Sequence, residues 1–413
     1  MKINNKKILT IIIILLLILL YPITVFANDD DPSISSNSAI LIDNNTNKIL
    51  YSKNENKKMY PASTTKILTA ILTLENSNLN DVVIASYDSI MSIPDGYSTA
   101  NIEIGEQLTV EQLLQLLLVH SANDAANILA EYIGGSIDSF VSMMNTKANE
   151  LNMQNTHFTN TYGRHDENHY TTANDLSILM KYCMKNETFR KIAGSASCAI
   201  PSTNKHQNRT YTSTNELLIP NNKNYYKYLT SGKTGYTSQA GECLVSSAYK
   251  DNLELICVVL GSSDRFGDTK SLYEYGYSNY SVKTFANKDD VITNIEVKNG
   301  TKGTRNLDLT LEDSISGLIK SNLNIPDSTV TLNDNISAPI AKGTVLGTVS
   351  YTIDNTTYTK NLLASHDVEQ DAVLLFIFEI ILGIALFLIL ITVLFSKSKK
   401  KRKKKKKYYY GGI

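Results

Sequence analysis

The spacing of apolar and polar positions changes character several times along the chain. An apolar run over residues 8–20 comes first, then Pro22 and small residues ending at Ala27. Two short runs, SAILID and KILYS, flank NNTN and predict a β-hairpin. Ile67, Leu68, Ile71, Leu72 and Leu74 then recur at helical spacing, and ENSN stops that helix. A second helix starts at Thr109, where Thr109 and Gln112 fit a capping box. Its LLQLLLV is apolar nearly all round, which predicts burial. That helix ends near His120. Further helices are predicted over residues 125–133, closed by Gly134 and Gly135, over 137–151 and over 173–185. From Tyr225 the pattern turns to strands, YYKYLTSGKTGYT, GECLVSSAY and LELICVVLG, followed by a helix, TKSLYEYGYSNY, ending near Gly276. Strands, helices, then strands again predict an α+β layered domain whose two ends share one sheet.

After Lys283 the runs become short, alternating and rich in Thr and Val, which predicts a small separate β domain over residues 284–368. Its simplest role is a stalk. Residues 373–395 are apolar except for Glu379, and about 20 such residues span a hydrocarbon core. One carboxylate costs roughly 3 kcal/mol on insertion scales, and more than a dozen Leu, Ile and Phe at about half a kcal/mol each outweigh it. A basic tail follows over residues 396–413, and the positive-inside rule keeps it cytoplasmic.

Charge and the N-terminus extend this picture. Forty basic and forty acidic residues give a formal net charge of zero, but the tail concentrates the positive charge and leaves the body net acidic. Beside a membrane span, KKKRKKKKK reads as a stop-transfer signal or a contact for anionic lipid, and no nucleic-acid partner is implied. Lys2, Lys6 and Lys7 before the first apolar run make residues 1–27 a secretory signal peptide, with an uncleaved signal anchor as the alternative. The expected layout is therefore an external domain over residues 28–283, the β domain, one transmembrane helix and a cytoplasmic tail, at the cell membrane. Cys183, Cys198, Cys243 and Cys257 form no CxxC pair and no metal-ligand spacing, and buried free thiols are expected. Cys243 and Cys257 lie on successive strands and are possible neighbours.

Three short motifs carry the candidate chemistry. In PASTTKILTA, Ser63 stands at a helix start with Lys66 three positions on, sharing its face. A serine hydroxyl needs a base, and a lysine serves as one only when burial or a nearby cation lowers its pKa. The backbone N–H of Ser63 is also one of the unpaired donors of a helix start, suited to an oxyanion. Taken alone, the pair reads sooner as a helix cap at Ser63 and a solvated surface lysine at Lys66. Ser121 and Asn123, in SAN, follow a buried helix, where a loop presents polar groups to a cleft or simply caps the next helix. Lys233, Thr234 and Gly235 lie in a strand flanked by Gly232 and Tyr236. Such a strand suits an extended substrate laid alongside it, with the lysine and threonine holding a carboxylate, or else its lysine guards an open sheet edge.

SxxK, SxN and KTG in this order form the signature of penicillin-binding proteins and class A β-lactamases. The chain resembles the low-molecular-mass penicillin-binding proteins that are serine-type D-alanyl-D-alanine carboxypeptidases. LLLVHSANDAANILAEYIGG, HFTN with HYTTANDLSIL, and SGKTGYTSQAGECLVSSA resemble that family in order, over about residues 36–280. The resemblance implies a transpeptidase-like domain, an antiparallel sheet with helices on both faces and a helical subdomain. It implies that Ser63 attacks the carbonyl between two D-alanines of a peptidoglycan stem peptide, that Lys66 takes its proton, and that Ser121 relays a proton to the leaving amine. Asn123 would hold the substrate amide and help fix Lys66. Lys233 and Thr234 would bind the terminal carboxylate, Ser63 and Tyr236 would supply the oxyanion hole, and Arg265 would add positive charge near the carboxylate. β-Lactams would acylate Ser63, and no metal or cofactor is implied. NTYGR, Asn160 to Arg164, departs from the Asn-Pro-x-Gly-Leu common in the family. His169 reads as a structural histidine. Three alternatives remain: a β-lactamase, which in class A needs a deacylating glutamate that does not stand out here; a D,D-endopeptidase; and a catalytically silent wall-binding protein, disfavoured because Ser63 and Lys66 are both present.

Overall fold

The computed structural model describes residues 31–409. The expected signal peptide lies outside them, as do the last four residues of the tail. Two compact units divide the chain, one up to Asn279 and one from Tyr280. In the first, β1 (Ser38–Asp43) and β2 (Ile49–Lys53) precede a 3-10 turn (Ala62–Thr65) and α1 (Lys66–Asn76). Next come β3 (Val82–Ile84), α2 (Tyr87–Met91) and β4 (Gln107–Thr109). The helices α3 (Val110–Gln115), α4 (Asn123–Gly134), α5 (Ile137–Glu150), α6 (Ala173–Cys183) and α7 (Glu187–Ala193) follow. After the hairpin β5 (Ser197–Ile200) and β6 (Arg209–Thr212), β7 (Leu229–Thr237), β8 (Gly241–Lys250) and β9 (Leu253–Ser262) lead into α8 (Arg265–Asn279).

The main sheet runs β2-β1-β9-β8-β7, antiparallel throughout. Ala39 pairs with Val259, so the two ends of the unit do share one sheet. Nearly every residue of β9 is buried, because both faces of the strand are covered. Ile256, Val258 and Leu260 join Ile40 and Ile42 in the core that also receives α1, α3 and α4. Leu255 and Leu41 face the other way, against Gly276 of α8. That contact corrects the expectation that the helix ends near Gly276. The glycine sits inside a helix that continues to Asn279. A Cβ there would come within 2.6 Å of Leu255 and 2.9 Å of Leu41, so it marks a close helix–sheet approach.

The capping box at the start of α3 forms as expected: Gln112 N donates to Thr109 Oγ1 (3.2 Å) and Thr109 N to Gln112 Oε1 (2.8 Å). The short pairs β3–β4 and β5–β6 were not foreseen from the sequence, being only three or four residues long. All four cysteines are free and buried. Cys257 pairs across the sheet with Ser246 and Cys243 with Gly235, so the two are not cross-strand neighbours. Burial pushes the Cys198 and Cys243 thiols up to about 11, and raises Cys183 and Cys257 as well.

The second unit begins with β10 (Tyr280–Ala286), β11 (Val291–Glu296), β12 (Asn306–Leu311) and β13 (Ile315–Lys320), followed by β14 (Ser328–Leu332), β15 (Val345–Ile353) and β16 (Thr356–Ala364). β10 pairs with β13, which places the start of this unit at Tyr280. The other strands form a sheet in the order β11-β12-β16-β15-β14 over a core of Leu307, Leu309, Leu311, Val349 and Leu362. α9 (Ala372–Tyr409) closes the chain, and its Phe376–Ser398 segment is long and apolar enough to cross a membrane.

Candidate active site

Ser63 lies in the 3-10 turn, and α1 begins only at Lys66. Residues three apart eclipse one another in a 3-10 turn, which brings Lys66 Nζ to 2.8 Å from Ser63 Oγ. Ala62 is held at φ 49°, a strained value for a residue with a side chain. Thr64 Oγ1 donates to Pro61 O (2.8 Å) and closes the turn. Two glycines press on it. A Cβ on Gly163, at φ +92°, would overlap the Ala62 carbonyl, and one on Gly235 would reach 2.9 Å from Ser63 N. Gly235 thus admits the nucleophile's own backbone.

Lys66 is fully buried. Its Nζ also lies 2.7 Å from Asn123 Oδ1, 3.2 Å from the Tyr162 carbonyl and 3.4 Å from Ser121 Oγ. Burial holds its pKa well below the ordinary lysine value, Lys233 pushes it further the same way, and Asp124 opposes both. A neutral amine has two N–H donors and one lone pair. The Asn123 Oδ1 and Tyr162 carbonyl oxygens only accept, so they take the two N–H groups and leave the lone pair for the Ser63 hydroxyl proton.

The second motif owes its position to a break in helical geometry. α3 passes into a π-helical turn, Leu116–His120, and Ser121 follows at φ 66°. This swings the Ser121 side chain out of the helix line, between the two lysines. Asn123, at the start of α4, donates its N–H to Ser98 O (2.9 Å). The buried Asp124 carboxylate accepts from the N–H groups of Ala100, Ile102 and Ala125 at 2.9–3.0 Å. It thereby ties the loop before β4 to the helix that carries Asn123.

The third motif lies on β7, an edge strand of the sheet. Lys233 is buried, and its Nζ donates to Ser121 Oγ (2.8 Å) and to Thr234 O (2.9 Å). Burial, helped by the Arg265 charge, lowers its pKa to about 7. Thr234 Oγ1 lies 2.6 Å from Thr214 Oγ1. Arg265 Nη1 donates to Gly235 O (2.9 Å), and Tyr236 is exposed beside the cleft. Ser63, Lys66, Ser121, Asn123 and Lys233 thus share one hydrogen-bonded chain, with Thr234, Gly235 and Arg265 on its strand side.

Sequence reasoning missed the Tyr162 carbonyl, Gly163 and Thr214. NTYGR was visible only as a departure, yet Asn160 Oδ1 accepts from the N–H groups of Gly163 (2.8 Å) and Arg164 (2.9 Å), folding the segment back on Ser63. His169 is structural: Thr159 N donates to its Nδ1 (3.0 Å), and Thr65 Oγ1 lies 2.9 Å from Nε2. Burial lowers its pKa to about 3. A cleft of about 480 Å³ opens beside Ser63, and no aspartate or glutamate lines it.

Residues 25–264 match the family described as D-alanyl-D-alanine carboxypeptidase, and residues 280–370 match the C-terminal domain of penicillin-binding protein 5. The chain is 34% identical over 319 residues to the D-alanyl-D-alanine carboxypeptidase DacF of Bacillus subtilis, covering 76% of this chain and 80% of that one. It is 29% identical to DacC of Escherichia coli, covering 82% and 86%. Among solved structures it is similar to penicillin binding protein 5 from Haemophilus influenzae, with TM-score 0.63, 29% identity and coverage of 82% and 99%. It is also similar to the peptidoglycan synthesis regulatory factor PBP3 of Streptococcus pneumoniae, with TM-score 0.67, 26% identity and coverage of 82% and 100%.

Proposed function

The chain belongs to the D-alanyl-D-alanine carboxypeptidase family of serine peptidases, and from that premise we propose how its own residues perform the reaction. It is a D-alanyl-D-alanine carboxypeptidase, a hydrolase that acts on peptidoglycan stem peptides and binds penicillins. Ser63 Oγ attacks the carbonyl carbon of the penultimate D-alanine while its proton passes to Lys66 Nζ. The backbone N–H groups of Ser63 and Tyr236 hold the oxyanion. Ser121 carries a proton to the departing amine, the C–N bond breaks, and D-alanine leaves. Water then attacks the acyl-enzyme and restores Ser63. Lys233 and Thr234 hold the terminal carboxylate, with the Arg265 charge behind them, and Asn123 orients both Lys66 and the substrate amide.

The observation that carries this reading is the 2.8 Å approach of a fully buried lysine to Ser63, with two acceptor-only oxygens occupying its N–H groups. The cleft lining offers no carboxylate base for fast deacylation, which favours a carboxypeptidase over a class A β-lactamase. The apolar segment of α9 anchors the chain, with the catalytic unit on the extracytoplasmic face and the lysines against anionic headgroups of the inner leaflet. Fluorescent penicillin tests the nucleophile. The wild type is expected to label covalently and Ser63→Ala to remain unlabelled, and D-alanine release from a pentapeptide fixes the reaction. A folded wild type that takes no label would end the acyl-enzyme reading.

A further inference from the structure

We propose that Arg164 recognises a second carboxylate on the substrate, at the end of the side chain of the residue preceding the D-Ala-D-Ala pair. This rests on the carboxypeptidase reading of the site and specifies the stem peptide that the site prefers. Arg164 closes the segment NTYGR, Asn160 to Arg164. Its backbone is pinned on both sides: its N–H donates to Asn160 Oδ1 (2.9 Å), and its carbonyl accepts from Asn160 Nδ2 (2.9 Å). The preceding Gly163 is pressed against Ala62 and Ser63. The Arg164 side chain therefore springs from a rigid turn that touches the nucleophile, and Arg164 is among the residues that line the cleft.

That side chain is exposed, and its guanidinium has no ion-pair partner among the described residues. Its charge acts on the buried Tyr162 phenol. Of the nearby acids, Asp166 accepts from Asn168 N (2.7 Å), and neither it nor Glu167 lines the cleft. Lys233 and Thr234, assigned to the terminal carboxylate, are buried and are not among its lining residues, whereas Arg164 is. Tyr97 packs edge-on against Tyr162 at 6.1 Å and gives the cleft an apolar wall. A methylene chain against tyrosines, ending in a carboxylate beside a guanidinium, matches 2,6-diaminopimelate. Lysine carries the same terminal ammonium without that carboxylate, so it offers the guanidinium no partner.

The test uses two stem pentapeptides alike except for diaminopimelate or lysine at that residue, with D-alanine release as the readout. The wild type is expected to favour the diaminopimelate peptide in kcat/KM by about twofold to fivefold, the range of a solvent-exposed ion pair. Arg164→Leu should bring the ratio close to one, and Arg164→Lys should restore part of it. A wild-type ratio near one, or a ratio kept in Arg164→Leu, overturns the proposal. So does loss of penicillin acylation in both Arg164→Leu and Arg164→Gln, which would make the side chain a support of the turn. Penicillin labelling of the wild type without peptide preference removes this inference alone. Absence of labelling and of D-alanine release from either peptide removes the parent reading.

Discussion

Ser121 Oγ lies between two amines, 3.4 Å from Lys66 Nζ and 2.8 Å from Lys233 Nζ. Two buried ammonium groups this close destabilise one another, so their protonation states separate. In the proposed mechanism Lys66 works neutral and Lys233 works charged. Lys233 has a pKa of about 7 in the free protein, so it loses its charge as the pH rises through that value. We expect kcat/KM to fall above about pH 7, and kcat to hold to higher pH because a bound carboxylate keeps the proton on. Lys233→Arg should abolish the basic limb of the kcat/KM profile, and an unchanged limb would refute the assignment. The same shift has a stability consequence. Between pH 7 and the ordinary lysine value near 10.4, the unfolded chain holds more protons at this residue than the folded one, so stability rises with pH. Urea melts of wild type and Lys233→Met should therefore diverge in the wild type's favour as pH is raised from 7 to 10. Lys66→Met should slow penicillin acylation by about a hundredfold or more, measured by stopped-flow labelling.

At the scale of elements, what holds the site together is close backbone packing between segments distant in sequence. Gly163→Ala is expected to strain a φ of +92° and to collide with Ala62. It should cost at least about 1–3 kcal/mol and slow acylation together, as read by thermal melts and penicillin labelling. Thr109→Ala removes a helix cap, at about 1 kcal/mol, and should leave acylation alone. The contrast between these two variants parallels what was legible in the sequence. The cap, the buried strand β9 and the three motifs are local patterns, each written in consecutive or regularly spaced letters. The π-helical turn that swings Ser121 outward, the bond from Lys66 to the Tyr162 carbonyl and the pairing of Thr234 with Thr214 depend on long-range packing. Side-chain identity says nothing about where a carbonyl points, so Tyr162 was invisible as a ligand of Lys66. Gly276 misled for a related reason. A glycine late in a helical pattern suggests an end, and only the neighbouring Leu255 and Leu41 show that it admits a sheet.

Across the whole molecule, each compact unit closes its own hydrophobic core. A fragment covering residues 31–279 is therefore expected to fold and to be acylated by penicillin at a rate close to that of the full chain. A fragment that precipitates or fails to label would show that the first unit depends on the second. The four free thiols belong to this scale too, since all are sealed in the interior with raised pKa values. Once the interior closes, oxidants find no thiolate to attack. Before it closes, the same sulfurs have the ordinary cysteine pKa near 8.5 and react readily. On the proposed extracytoplasmic face, folding is thus a race between collapse and oxidation, run once by every molecule, and a mutation that merely slows folding would appear as cross-linked protein.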